Sequence, residues 1–220
     1  MVDLFKRCLN AGYKHTPKGG DYAIEVDGDT LYLLFECSDG AEDWRNNFDF
    51  PAIPYKHMSK KWRVHRGFLR VWKDMDDIIE DSVEDCLFAY PEVNKIVCVG
   101  YSHGAALSVL ATEDMEYLYG DAYDVSGYGF GTPRVLWGIV PKVVKHRLRN
   151  FTSVRNIPDI VTHVPPMLFG FRNAGTLVKI GEKGKYSSFK AHRAEAYIDE
   201  MEGGKKNADR SNSSIDWSSR

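Results

Sequence analysis

Residues 95–110, "KIVCVGYSHGAALSVL", constrain the fold more than any other stretch of the chain. "KIVCV" is a short, continuous apolar run, the pattern of a strand buried on both faces of a covered, parallel sheet. Gly100 and Gly104 then bracket Ser102, and Ala105 and Ala106 open a helix candidate over 103–119 whose small residues allow close packing. A chain with this run must form a sheet strand, turn sharply and send a helix back across the sheet.

The same alternation continues on both sides. "YAIEV" (22–26) and "LYLLFEC" (31–37) flank "DGD", a hairpin turn signal. From Phe68, apolar residues recur at helical spacing through Val71, Trp72, Met75, Ile78, Ile79, Val83 and Cys86, with acids on the other face and Pro91 beyond the end. Residues 123–130, 150–155 and 175–180 are further strand candidates, and a final helix covers about 193–202. Strands alternating with helices predict a three-layer α/β domain with a mainly parallel central sheet and an antiparallel hairpin at its N-terminal edge. With 220 residues, one domain over 1–203 is expected. Residues 204–220, rich in Gly, Ser, Asn and Lys without periodicity, read as a disordered tail.

Composition removes several function classes. The formal net charge is −2 and no basic run of five or more occurs, so no nucleic-acid partner is expected. No apolar stretch approaches the roughly 18 residues of a membrane span, so stable insertion is not expected, although transient contact with a lipid surface is compatible with the sequence. Asp3, Lys6 and Arg7 break the N-terminal apolar pattern, which does not read as a signal peptide and points to a cytoplasmic location. Cys8, Cys37, Cys86 and Cys98 are too sparse for a disulfide framework and lack metal-motif spacing. "DGD" lacks the other oxygen ligands of a calcium loop, and "GYGFGT" (127–132) misses dinucleotide-loop spacing, so neither a metal nor a cofactor is expected. The oligomeric state is not written in the sequence.

Gly100-Tyr101-Ser102-His103-Gly104 fits G-x-S-x-G, in which a strained strand-to-helix turn exposes a serine nucleophile. The helix N-terminus behind it offers free N–H groups to a developing oxyanion. A serine nucleophile needs a histidine and a carboxylate, which on such sheets follow in the order acid, then histidine. His146 lies in a basic helical stretch, and His163 is only four residues from Asp159; His192, after the last strand candidate, is favoured. Asp159, after a strand and before Pro165-Pro166, is favoured over Asp121 and Asp124 as the acid. His65 reads as a structural hydrogen-bonding residue, and Arg134 is expected to pair with a carboxylate near the sheet edge.

Several stretches together resemble the class 3 lipase family, the fungal triacylglycerol-lipase type with an α/β-hydrolase fold. "GYSHGAALSVL" is similar to its G-H-S-x-G-G-A-L-A elbow, "VHRGFLRVW" (64–72) to its V-H-x-G-F segment, and "GFGTPRV" (129–135) to its F-G-x-P-R-V strand end. "RNIPDIVTHVPP" (155–166) resembles the segment carrying the aspartate, "AHRAEAY" (191–197) the one carrying the histidine, and "LLFECSDGAEDW" (33–44) the F-R-G-[ST] strand end. The resemblance implies a lipase or esterase acting on ester or lipid substrates, with Ser102 as nucleophile, Asp159 as orienting acid and His192 as base. It also implies Ser38 and the backbone N–H of His103 as oxyanion hole, and a lid after Ser38, about residues 39–61.

Two departures stand out. Glu36-Cys37 replaces the family's Arg-Gly, and His103 replaces its usual Leu. If 41–48 is helical, Ala41, Trp44 and Phe48 form a narrow apolar stripe, making Trp44 and Phe48 the candidate lid residues. Residues 39–50 carry four acids (Asp39, Glu42, Asp43, Asp49) and one Arg45, a formal charge of −3. Anionic headgroups repel such a segment, so soluble or short-chain esters are the expected substrates. A non-catalytic lipid- or partner-binding module and an acyltransferase are the alternatives on the same fold.

Overall fold

The computed structural model describes residues 1–16, 20–36, 51–55 and 62–213. Ser38, Trp44 and Phe48, and with them the expected oxyanion serine and lid, lie outside the described residues. In chain order the elements are α1 (Val2–Leu9), β1 (Lys14–His15), β2 (Asp21–Asp27), β3 (Thr30–Glu36), β4 (Ala52–Pro54) and β5 (Arg63–His65). Then come α2 (Arg66–Trp72), α3 (Asp76–Ala89), β6 (Lys95–Tyr101), α4 (His103–Tyr119), β7 (Asp124–Phe130), β8 (Leu136–Trp137) and α5 (Lys142–Arg147). β9 (Phe151–Asn156), β10 (Phe171–Arg172), β11 (Thr176–Ile180) and α6 (Ala194–Ser213) complete the order, with single 3₁₀ turns at Val161–His163, Met167–Phe169 and Lys190–His192.

The main sheet has the order β1-β2-β3-β6-β7-β9-β11. β1, β2 and β3 are antiparallel, and from β3 onward every neighbour is parallel. Asp27 pairs with Thr30 across Gly28-Asp29, and Gly28 supplies the positive φ of 58° that the two-residue turn needs. The central strands β3 and β6 are covered on both faces, which explains their continuous apolar runs. Leu33, Phe35, Ile96 and Cys98 face a core shared with α2, α3, α4 and the second sheet. Leu34, Val99, Phe130 and Val154 face a smaller core closed by Phe5 of α1 and Tyr197 of α6. Among the described residues no helix is long and apolar enough to cross a membrane.

Three features depart from the sequence pattern. The helical period running from Phe68 to Cys86 is cut at Lys73–Met75, where the Asp74 and Met75 N–H groups turn to i−3 carbonyls and end α2. The last helix continues to Ser213, so the expected tail keeps helical backbone over 204–213, and residues 214–220 lie outside the described residues. Once the packed start of α6 is nucleated, each further residue adds one hydrogen bond at little cost. A second sheet, β10-β8-β5-β4, comes from strands of two or three residues, too short to leave a period in the sequence.

Where α3 packs near α4, several carboxyl groups are taken out of water together. Asp76 pairs with Lys73, Glu113 accepts Arg147 Nη1 at 2.6 Å, and Glu80 hydrogen-bonds Asp114. One oxygen each of Asp76, Asp77 and Glu80 lies within 4.8 Å of the others, with the Lys73 ammonium already on Asp76. Burial, reinforced by Glu80, Glu113 and Asp76, pushes Asp114 from 3.8 up to about 8. The folded chain therefore binds an extra proton between those values, so stability falls as pH rises through that window. Replacing Asp114→Asn removes this proton, and urea unfolding between about pH 4 and 8 is expected to show a shallower loss of stability than in the parent.

Candidate active site

The turn between β6 and α4 is built by two missing side chains. A Cβ on Gly100 would stand 2.1 Å from the Gly104 carbonyl oxygen, and a Cβ on Gly104 would stand 2.1 Å from that of Phe35. Both contacts are to backbone, which cannot move aside, so only glycine lets α4 begin against the ends of β3 and β6. Ser102 takes the resulting strain at φ 56° and ψ −119°, the positive φ among described non-glycine residues, while its N–H donates to Phe130 O at 2.9 Å.

The side chains favoured from the sequence converge here. The Ser102 hydroxyl lies 2.8 Å from His192 Nε2, and His192 Nδ1 lies 2.8 Å from Asp159 Oδ2. All three residues are buried. With its Nδ1–H donated to the carboxylate, the imidazole presents Nε2 as an acceptor to the hydroxyl. This linear array can relieve a serine of its proton and hold it on a ring steadied from behind. Gly131 leaves room for it, because a Cβ there would stand 2.9 Å from His192 Cε1 and 3.3 Å from Asp159 Oδ2.

Asp159 has more partners than a turn residue needs. Its Oδ1 accepts the Val161 N–H at 2.9 Å, and its Oδ2 also accepts the Tyr197 hydroxyl at 2.7 Å. That hydroxyl in turn accepts the Asn156 N–H at 3.1 Å, and Asn156 Nδ2 donates to Ala191 O at 3.0 Å. Tyr101 donates to the His192 carbonyl and stacks on its ring at 5.4 Å and 23°. Burial near Asp159 raises both tyrosines, so each stays protonated as a donor. Sequence reasoning missed Tyr101, Tyr197 and Asn156. Tyr101 and Tyr197 flank the favoured serine and histidine, but an aromatic beside a motif reads as core.

His103 is buried edge-on against Phe68 at 5.2 Å, and burial lowers its ring to about 4, so it is neutral near pH 7. His65 stacks on Phe68 at 4.2 Å and lies 5.5 Å from Phe171. Arg134 corrects one expectation. It donates to the carbonyls of His163 and Pro165, the latter at 2.9 Å, and no carboxylate pairs with it among the described residues. Main-chain oxygens turned inward by the 161–166 loop supply the acceptors that a carboxylate was expected to provide. His163 Nδ1 sits 3.0 Å from the Asp159 carbonyl, away from the carboxylate, and His146 is exposed on α5. Glu36, at the end of β3, is half-buried and its carboxyl is raised by burial and by Asp21.

Known proteins resemble this chain in sequence and in fold. The family described as Lipase (class 3) matches residues 32–169. A lipase of Rhizomucor miehei is 30% identical over 149 residues, covering 66% of this chain and 40% of that protein. The secreted mono- and diacylglycerol lipase 1 of Fusarium solani is 31% identical over 131 residues, covering 60% and 38%. The chain thus spans about two fifths of the length of these relatives. The crystal structure of a lipase from Rhizopus microsporus var. chinensis superposes with a TM-score of 0.70 at 27% identity, covering 78% of this chain and 61% of that one. The fold is that of the α/β-hydrolases.

Tyr197→Phe keeps the ring and removes the hydroxyl that donates to Asp159 and accepts from Asn156. Two buried polar groups lose a partner, so unfolding in urea at pH 7 is expected to show a loss of about 1–3 kcal/mol.

Proposed function

This chain belongs to the class 3 lipase family, and we propose that it is a serine carboxylic-ester hydrolase whose chemistry is carried by Ser102, His192 and Asp159. The observation that carries the reading is the unbroken relay from Ser102 Oγ through the His192 ring to Asp159, with 2.8 Å at each link.

In this reading Ser102 Oγ attacks the ester carbonyl while its proton passes to His192 Nε2. Asp159 keeps the other ring nitrogen protonated and stabilises the imidazolium that forms. Tyr197 and the Val161 N–H hold the carboxylate in place, so it turns toward the ring and not toward solvent. The oxyanion forms at the N-terminus of α4, where the His103 N–H has no intrahelical acceptor. Ser38 is the second donor proposed from the family resemblance. His192 then returns its proton to the leaving alcohol, and water, deprotonated by the same nitrogen, cleaves the acyl-enzyme. No cofactor is needed for either half of the cycle. The proposed catalytic unit is residues 1–203, and its substrates are short-chain or soluble esters, because residues 39–50, which the family resemblance makes a lid, carry a formal charge of −3.

Ser102→Ala is expected to lower kcat on a p-nitrophenyl ester by roughly 10⁴–10⁶-fold. A fluorophosphonate probe should label Ser102 in the parent and fail to label His192→Ala; retained turnover in Ser102→Ala would remove the assignment. Across p-nitrophenyl esters of rising chain length, kcat/KM should peak among the short acyl groups. The rate on a short ester should pass its solubility limit without a jump. A sharp rise at that limit, abolished by Trp44→Ala, would show a lipid-activated lid instead.

A further inference from the structure

The sheet has a second inhabited end. Ser102 follows the C-terminal end of β6, and Asp159 follows that of β9. At the other end, where Thr152 of β9 pairs with Thr176 at the start of β11, a crevice opens beneath α5. It holds about 610 Å³ of empty space, part of it open to solvent. Its apolar wall is Leu136, Val140 and Leu148, of which Leu136 and Leu148 are buried and contiguous with the main core. Its polar lining is Lys145, Arg149, Asn173 and Thr176, with no acidic side chain among them.

The cations around α5 are not equally satisfied. Arg147 is claimed by Glu113, and Arg149 gives one guanidinium nitrogen to Glu116. The Lys145 ammonium has no carboxylate partner among the described residues, although it lines the crevice. Two cations less the one charge of Glu116 leave a single net positive charge at the mouth. A cation without a carboxylate partner beside aliphatic carbon suits a molecule that carries both a charge and an apolar tail.

We propose that this crevice is a binding site for an amphiphilic monocarboxylate, a carboxylate head on a short aliphatic tail. The head matches the one net charge and meets donors from Lys145, Arg149, Asn173 and Thr176. The tail lies on Leu136, Val140 and Leu148. Ester hydrolysis releases acids of this chemistry, and the site would hold such a product at the end of the sheet remote from Ser102. The inference stands on the crevice and not on the reading of the triad, so the two fail separately.

The test uses octanoate and the whole chain carrying Ser102→Ala, followed by ¹³C-methyl NMR of Leu136, Val140 and Leu148, signals that report this site and not the Ser102 pocket. Octanoate below its micelle concentration is expected to shift these methyls saturably, with a Kd on the order of 1 mM. Octanol, which lacks the charge, and acetate, which lacks the tail, should each bind at least about tenfold more weakly. Lys145→Gln, an exposed change that leaves the fold intact, should raise the octanoate Kd about fivefold or more. Val140→Asp should raise it further by placing a like charge beside the head. Absence of saturable shifts at these methyls, equal binding of octanol, or an octanoate Kd unchanged in both variants would overturn the proposal.

Discussion

The close approach of α4 to the ends of β3 and β6 is the constraint on which the rest of the molecule depends. It requires bare backbone at Gly100 and Gly104, and it forces the residue between them to a positive φ. An unfavourable conformation of this kind persists only where its surroundings over-determine it. Here they do: the Ser102 N–H is held by Phe130 O, and the helix behind it is buried from His103 through Met115. The strain of one residue is set against the packing of a seventeen-residue helix on a parallel sheet. The serine hydroxyl is aimed by the scaffold and not by its own rotamer preference.

A second requirement follows from putting a carboxylate in the same interior. Asp159 is fully buried, and such a group is costly unless each oxygen has donors. Val161, His192 and Tyr197 provide them, and they come from three different places: the 3₁₀ turn after β9, the turn before α6, and α6 itself. Satisfying the carboxylate therefore ties the end of the chain to the sheet. Phe5 of α1 extends the same assembly, lying 4.5 Å from Phe130 and 5.4 Å from Tyr101, whose ring stacks on His192. The N-terminal helix, far from the serine in sequence, is part of the wall against which the histidine is held. Asp114 shows the contrasting solution, since burial beside Glu80 and Glu113 outweighs the nearby Lys73 and raises its carboxyl to about 8.

How much of this was legible in the sequence depends on whether the signal was local. The β6–α4 unit was readable because strand, turn and helix are contiguous and each has its own signature: an apolar run, paired glycines and small helix formers. The hairpin of β2 and β3 was readable for the same reason. The short strands of the second sheet were not, because two or three residues hold no period and their pairing is decided by what they pack on. The break between α2 and α3 was hidden because the apolar stripe continues through it. Arg134 was assigned a carboxylate on charge alone, but the acceptors are carbonyls that a folded loop turns inward.

By itself, the sequence determined the alternation of elements, the order of Ser102, Asp159 and His192, and the glycines that make the sharp turn sterically possible. These are properties of neighbouring residues, and short-range sterics and hydrophobic periodicity are sufficient to specify them. Only the tertiary structure decided that the three side chains meet at hydrogen-bond distance, that Tyr101, Asn156 and Tyr197 support them, and that Lys145 faces an apolar crevice without an acidic partner among the described residues. Those facts join residues up to 91 positions apart. Their geometry depends on how strands register and helices pack, which no local pattern encodes.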